Sequence, residues 1–356
     1  MFNTVRLLNI LPLARKLQHT TFPVVIVAYT PIRELHIDCL DQSLSACLFS
    51  ALETVRDYFY CHTEISSAHP TIELFLTHMR AVPRLHLARM PSLDSQTAHK
   101  LADAINNSLE AFLSASNSQS HRKRLNNLQR VEKRNQRSIA TYINSLFAQH
   151  AKLLFIRLDI GYREAHYHRL TADNTTHDLH HYLSVIQRRF KHLVGYIWKI
   201  EYGADRRFHF HLTFIFNGAE HQQDISLGKA LGEQWKTITD GQGNYYNCNS
   251  RRVQYQEWGT DGIGMVHYAD TDKQALLLNA LGYLTKPDEQ ILAVLPAGRR
   301  TFGRMEIPVA GPRTGRPRLS LTNNLIMPQQ AERIISISQN STAALDPQSI
   351  GIADGS

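Results

Sequence analysis

The sequence predicts an α+β chain: an antiparallel sheet carrying helices, preceded by a mainly helical region. Three observations predict it. Between residues 152 and 216 the chain reads as three strands, two of which, 154–160 and 208–216, place successive side chains on alternate faces at period two. Around and after them, residues 175–192, 225–239 and 270–286 carry apolar residues at helical spacing. Before residue 114 helical spacing recurs, as over residues 48–60 and 95–113.

In chain order, residues 1–118 read as a mainly helical accessory domain. Residues 114–120 (SASNSQS) have a linker's composition. Residues 121–137 are strongly basic, with Arg122, Lys123, Arg124, Arg130, Lys133, Arg134 and Arg137. Ile139, Tyr142, Ile143 and Leu146 continue at helical spacing, so one helix with a basic face leads into the next domain. Arg122, Lys123 and Arg124 are its candidate phosphate contacts. Leu154, Ile156, Leu158 and Ile160 then alternate with Phe155, Arg157 and Asp159 on a first strand. Residues 193–202 and 208–216 are two more strands, and residues 253–268 an irregular strand region. The order is β-α-β-β-α-β with an added helix, which places helices on one face of the sheet. The sheet domain spans residues 119–309, and residues 310–356 read as a basic, disordered tail. Thr314–Arg318 partly resembles an AT-hook, with Thr314 where the first arginine is expected; a plain basic tail is the preferred reading.

Composition narrows the function. The 356 residues suffice for two domains and a sizeable core, and 43% hydrophobic content is ordinary for a globular chain. A formal net charge of +8 suits a polyanionic partner. Cys39, Cys47, Cys61 and Cys248 show no zinc spacing and fit a reducing compartment. The apolar runs 7–14 and 22–29 are too short to span a bilayer, and no cleavable leader is evident. The expectation is a cytoplasmic protein with no membrane partner.

The chemistry concentrates at Glu201 and at His209-Phe210-His211. On a strand, Phe208, Phe210, Leu212, Phe214 and Phe216 share the core-facing side, and His209, His211 and Thr213 share the other. A turn near Gly203 folds residues 196–201 back antiparallel and brings Glu201 beside His209. One carboxylate and two imidazoles make an open site for Mg²⁺ or Mn²⁺. His166-Tyr167-His168 has the same spacing but no apolar alternation, so it reads as solvated or DNA-facing. Further on, Leu277, Leu281 and Leu284 stripe a helix begun by Asp270 and ended by Pro287. Tyr283 borders that stripe, with Lys286 three residues on.

An E-x7-H-x-H strand followed by Y-x-x-K resembles the HUH endonucleases, the rolling-circle replication initiators and relaxases. Residues 151–306 are most similar to the gene-two-type replication proteins of filamentous phages (inoviruses) and their prophage relatives. The matching pieces are Arg157-Leu-Asp159, Trp198-Lys-Ile-Glu201-Tyr-Gly, His209-Phe-His211, Trp235, Gly241-Gln-Gly243, Tyr246-Asn247, Gly282-Tyr283-Leu-Thr-Lys286 and Arg300-Thr-Phe-Gly-Arg304. A single candidate tyrosine places the chain with the single-nucleophile branch.

The resemblance implies a ferredoxin-like core and an enzyme that nicks one DNA strand at an origin. It implies a divalent metal on Glu201, His209 and His211, and Tyr283 as nucleophile, forming a phosphotyrosine link and freeing a 3′-hydroxyl. Lys286 would neutralise phosphate charge or help deprotonate Tyr283; the first role is preferred. Arg157, Arg300 and Arg304 are candidate contacts to the DNA backbone, and Asp159 reads either as a support for the site or as structural, not as a ligand. The implied partners are single-stranded or hairpin origin DNA and a host replication helicase. Two rivals stand beside this reading: a DNA-binding regulator that keeps the fold without cutting, and a metal nuclease with no covalent intermediate.

Overall fold

The computed structural model describes residues 4–29, 35–65, 67–83, 94–203, 205–252 and 261–307. The chain divides into two units, one of Met1–Leu128 with Glu289–Arg299, the other of Gln129–Asp288 with the residues from Arg300. Helices and antiparallel sheets occur together, which is the α+β class.

The first unit contains α1 (Ile10–Leu17), β1 (Val25–Tyr29), β2 (Leu35–Cys39), α2 (Gln42–Cys61), α3 (Pro70–Met79), α4 (Ser95–Ser116) and the start of α5 (Gln119–Gln149). A short helix, Glu289–Val294, completes it. Its helices begin at residues suited to the task. The Asp41 carboxylate accepts from Ser43 N at 2.9 Å, and the Asp94 carboxylate from Thr97 N at 2.9 Å. The antiparallel pair β1–β2 departs from the helical expectation. Val24, Val25 and Val27 favour extended backbone. Asn106 of α4 fixes it, its Oδ1 accepting from Val24 N and Val25 N at 3.0 and 2.9 Å and its Nδ2 donating to Val25 O at 2.8 Å. The expected linker is also revised, since only Asn117 and Ser118 lie between α4 and α5. Its serines terminate helices instead of loosening the chain. Ser116 Oγ donates to Leu113 O at 2.9 Å, and Ser118 Oγ accepts from His121 N at 3.1 Å.

The second unit holds the sheet. Its elements are β3 (Lys152–Tyr162), α6 (Ala172–Arg189), β4 (Leu193–Gly203), β5 (Arg207–Asn217), α7 (Asp224–Ile238), β6 (Gly243–Asn247), β7 (Gly264–His267), α8 (Thr271–Gly282) and β8 (Phe302–Arg304). The strands are ordered β6-β3-β5-β4-β8, with β7 also on β3, and every pairing is antiparallel. The three long strands fall where the alternation placed them. Of the expected irregular strand region, 253–260 lies outside the described residues and Gly264–His267 is β7. The strands β6 and β8 are additions, five and three residues long.

Register puts Ile160, Leu158, Ile156 and Leu154 opposite Phe210, Leu212, Phe214 and Phe216 on one face. Helices α6 and α7 cover it. The Tyr182 ring lies 5.9 Å from Phe214, and the Trp235 ring 6.0 Å from Phe210. Their polar atoms are satisfied, Tyr182 Oη donating to Leu231 O at 2.9 Å and Trp235 Nε1 to Gly161 O at 2.8 Å.

The second face corrects the expectation that helices cover only one side. Ile139, Ile143 and Leu146 of α5 and Leu277 and Leu281 of α8 pack with Leu153, Phe155, Ile197, Ile215 and Val266. The physical reason lies in the sequence of that face. Beyond Thr213 it turns apolar, and apolar surface on a sheet has to be covered. Helix α8 is capped by Asp270 as expected but stops at Gly282. Tyr283–Thr285 is a 3₁₀ turn and Lys286 is extended, as the residue before a proline prefers. The candidate AT-hook and the tail of residues 310–356 lie outside the described residues. Among the described residues no helix is long and apolar enough to cross a membrane.

Candidate metal and nucleophile site

The uncovered part of the second face carries the polar residues. On the β4–β5 hairpin Glu201 pairs with His209 and Lys199 with His211, while Asp159 of β3 meets His211 from the other side. Arg207, held at φ 53°, starts β5 and sets the hairpin's return. Gly161 lies beside His209; a Cβ there would sit 3.5 Å from His209 Cβ and 3.3 Å from Asn244 Oδ1.

Both imidazoles are oriented from behind. His211 Nδ1 is 2.7 Å from Asp159 Oδ1, and His209 Nδ1 is 3.0 Å from the Arg207 carbonyl oxygen. Acceptors on both Nδ1 atoms set each ring to donate there and turn Nε2 toward Glu201, where loss of any proton on it would free it to hold a metal. The two Nε2 atoms converge on one oxygen, Glu201 Oε2, at 3.1 Å from His211 and 3.5 Å from His209. One donor atom from each of Glu201, His209 and His211 lies within 4.8 Å of the others. This donor set fits a divalent cation, because one carboxylate and two tautomerically fixed imidazoles meet at a single point.

The electrostatics are those of a tightly coupled buried cluster. Burial alone would raise Glu201, but hydrogen bonds from His209 and His211 and the charges of His211 and Lys199 hold it well below the carboxylate range. Burial likewise works against Asp159, and the charges of His211 and Arg157 with the His211 hydrogen bond hold it low. For His211 burial favours the neutral ring, yet Asp159 and Glu201 outweigh it and push the group up to about 9.

Tyr283 joins this group from the turn after α8. Its ring is 6.1 Å from the His211 ring and nearly perpendicular to it. Three cations lie over it: Lys199 Nζ at 5.2 Å, Lys286 Nζ at 5.6 Å and Arg157 Cζ at 5.9 Å. Sequence spacing paired Tyr283 with Lys286 alone, and the fold adds two more. Lys199 is the residue that sequence reasoning missed. It is 4% exposed and ion-paired with Glu201 Oε1. Its signal was present, because on a strand Lys199 shares a face with Glu201 two positions on. Asp159 stands behind His211, at hydrogen-bond distance from its Nδ1.

The candidate DNA contacts separate. Arg157 sits within the site, 3.5 Å from Asp159 Oδ1. Arg300 is exposed. Arg304 has other work: it donates to Ser138 Oγ and Met305 O, both at 2.9 Å, and lies 5.0 Å from the Tyr142 ring. That guanidinium ties β8 to α5. Arg122 and Lys123 are exposed on α5 in the first unit, whereas Arg124 is ion-paired with Glu73.

The family model of the YagK/YfjJ C-terminal domain matches residues 114–305, which span the sheet and every residue of this site. The match covers more than half of the chain, and the protein belongs to that family. No curated protein and no solved structure matches it.

Proposed function

We propose that this member of the YagK/YfjJ C-terminal domain family nicks one strand of DNA at a replication origin and stays attached through a phosphotyrosine. The observation that carries the reading is convergence. Two histidines and a glutamate from one hairpin meet at one point, and a tyrosine from a distant turn stacks edge-on against one of those histidines. In this reading the sheet with α6 and α7 is a ferredoxin-like HUH core within a nicking domain of residues 119–309. Residues 1–118 are an accessory domain and residues 310–356 a basic tail.

Glu201, His209 and His211 would hold a divalent cation such as Mg²⁺ or Mn²⁺, whose positive charge would polarise the scissile phosphate. Tyr283 Oη forms the new bond to phosphorus, the bond from phosphorus to the 3′-oxygen breaks, and the tyrosine's proton ends on that oxygen. The protein keeps the 5′ side as a phosphotyrosine diester, and a 3′-hydroxyl is left to prime synthesis. Lys286, Lys199 and Arg157 offset charge on the transferring phosphate. Asp159 keeps His211 in its ligating tautomer.

The test is an adduct assay with Mn²⁺ and labelled single-stranded origin DNA. The intact protein is expected to give a boiling-resistant protein–DNA species whose linked peptide contains Tyr283. Tyr283→Phe should bind DNA and form no adduct, and His209→Ala and His211→Ala should abolish nicking. An adduct on another tyrosine, or full activity in excess chelator, would overturn the assignment. DNA binding by the intact protein with no adduct under any metal would favour the non-cutting regulator.

A further inference from the structure

The Lys199–Glu201 pair points to how the site chooses its ion. A carboxylate offers two oxygens, and here they have separate partners. Glu201 Oε2 faces the Nε2 atoms of His211 and His209. Glu201 Oε1 is held by the Lys199 ammonium. Lysine and glutamate are 4% and 5% exposed, so neither can exchange its partner for bulk water. To chelate a cation through both oxygens, Glu201 would have to release Lys199 and leave a buried ammonium without its anion, a strongly unfavourable state. The strand itself enforces the pairing. Lys199 and Glu201 lie two residues apart on one face of β4, and Lys199 is fixed between His211 on one neighbour and Phe302 on the other.

We propose that Lys199 makes Glu201 a one-oxygen ligand and thereby sets the site against Ca²⁺ in favour of smaller cations such as Mn²⁺ and Mg²⁺. This rests on the metal reading above and deepens it. Ca²⁺ takes six to eight oxygens and commonly draws both from a carboxylate, whereas Mg²⁺ keeps a tighter octahedral shell with single-oxygen carboxylates. Two imidazoles and one carboxylate oxygen are too few oxygen donors for Ca²⁺. Releasing Oε1 would supply one more. Lys199 is thus a specificity-determining residue for the metal, and its place over the Tyr283 ring lets the same ammonium meet the phosphate.

The test is calorimetric titration of the full chain with MnCl₂ and separately with CaCl₂, in the absence of DNA. The unmodified protein is expected to bind Mn²⁺ at least tenfold more tightly than Ca²⁺. Lys199→Met is expected to narrow that ratio about tenfold, chiefly by a gain in Ca²⁺ affinity. The ratio separates two causes. Removing a positive charge strengthens both dications alike, because they carry equal charge. Only a change in how many oxygens Glu201 offers moves one against the other. Lys199→Gln, neutral and still able to donate to Oε1, should keep the original ratio and provides the comparison if the Met variant does not fold. A ratio unchanged in Lys199→Met, with Mn²⁺ still bound, would overturn the inference and leave the metal reading intact. Failure of the unmodified protein to bind either ion would overturn both.

Discussion

The two faces of one sheet have opposite contents, although the same strands supply both. The face under α6 and α7 is apolar from end to end, with Phe210, Leu212, Phe214 and Phe216 fully buried beside Trp235 and Tyr182. The reverse face is apolar over Leu153, Phe155, Ile197, Ile215 and Val266; its other part holds Asp159, Lys199, Glu201 and His211, all but Asp159 no more than 6% exposed. Buried charge costs stability unless it is paired and hydrogen-bonded, and here each charge has its partner. The contrast teaches a division of labour: the aromatic face supplies the stability that lets the reverse face concentrate charge.

The largest expected effect attacks the aromatic face. Trp235→Ala removes a fully buried indole and its bond to Gly161 O, and should destabilise the second unit by about 3–5 kcal/mol. If the division of labour is right, Mn²⁺ affinity of the remaining folded protein is unchanged. A loss of affinity matching the loss of stability in chemical melts would break the comparison.

Acid should act next, and it must first be traced to the correct unit. His69 in the first unit is 4% exposed, and burial depresses it from 6.5 to about 4. Its unprotonated Nδ1 accepts from Thr71 N at 3.2 Å at the start of α3. Between those pH values the unfolded chain takes up a proton that the folded chain refuses. Stability is therefore full above about pH 6.5 and falls as pH drops toward 4, by at most about 3 kcal/mol. His69→Asn keeps a capping acceptor and should flatten that fall in urea melts recorded from pH 7 to 4. An unaltered pH profile would move the acid-sensitive group to the charged face of the sheet.

A milder change sharpens the picture of the charged face. Asp159→Asn leaves His211 a weaker acceptor behind Nδ1 and should weaken Mn²⁺ binding by about 10- to 100-fold. Titration calorimetry showing no change would remove Asp159 from the site.

The smallest effect lies outside the sheet. Arg122→Ala with Lys123→Ala should flatten the salt dependence of duplex DNA binding by about two units of slope, at about 0.9 per phosphate contact. Adding Arg124→Ala should contribute less, because Glu73 already neutralises it. An unchanged slope would show that this face of α5 meets only solvent.

The long strands and the position of the histidines were legible because a period-two pattern both names the element and sorts its faces. His209 and His211 stood out because Phe208, Phe210 and Leu212, alternating with them, fixed which way they point, and because Glu201 upstream and Tyr283 with Lys286 downstream supplied partners. Short elements left no such record. Strand β8 has three residues and owes its pairing to Trp198 and Lys199 on β4, partners more than a hundred residues away. The apolar stripe of Ile139, Ile143 and Leu146 on α5 was legible, but a stripe does not say which face of a distant sheet it covers. Lys199 was missed because a lysine reads as solvated, and only the fold shows that it has a buried carboxylate beside it. Arg304 was read for its charge, and the fold shows that it also braces β8.

The β4–β5 hairpin has a kinetic consequence. Glu201, His209 and His211 lie within one short stretch of chain, joined by a single turn. Closing so small a loop costs little chain entropy, and isolated hairpins form in about 1–10 μs. Asp159 reaches His211 across 52 positions of sequence and must wait for a slower, long-range search. Glu201, His209 and His211 therefore come together first, and His211 gains its Asp159 acceptor only once the longer-range strand pairing has closed.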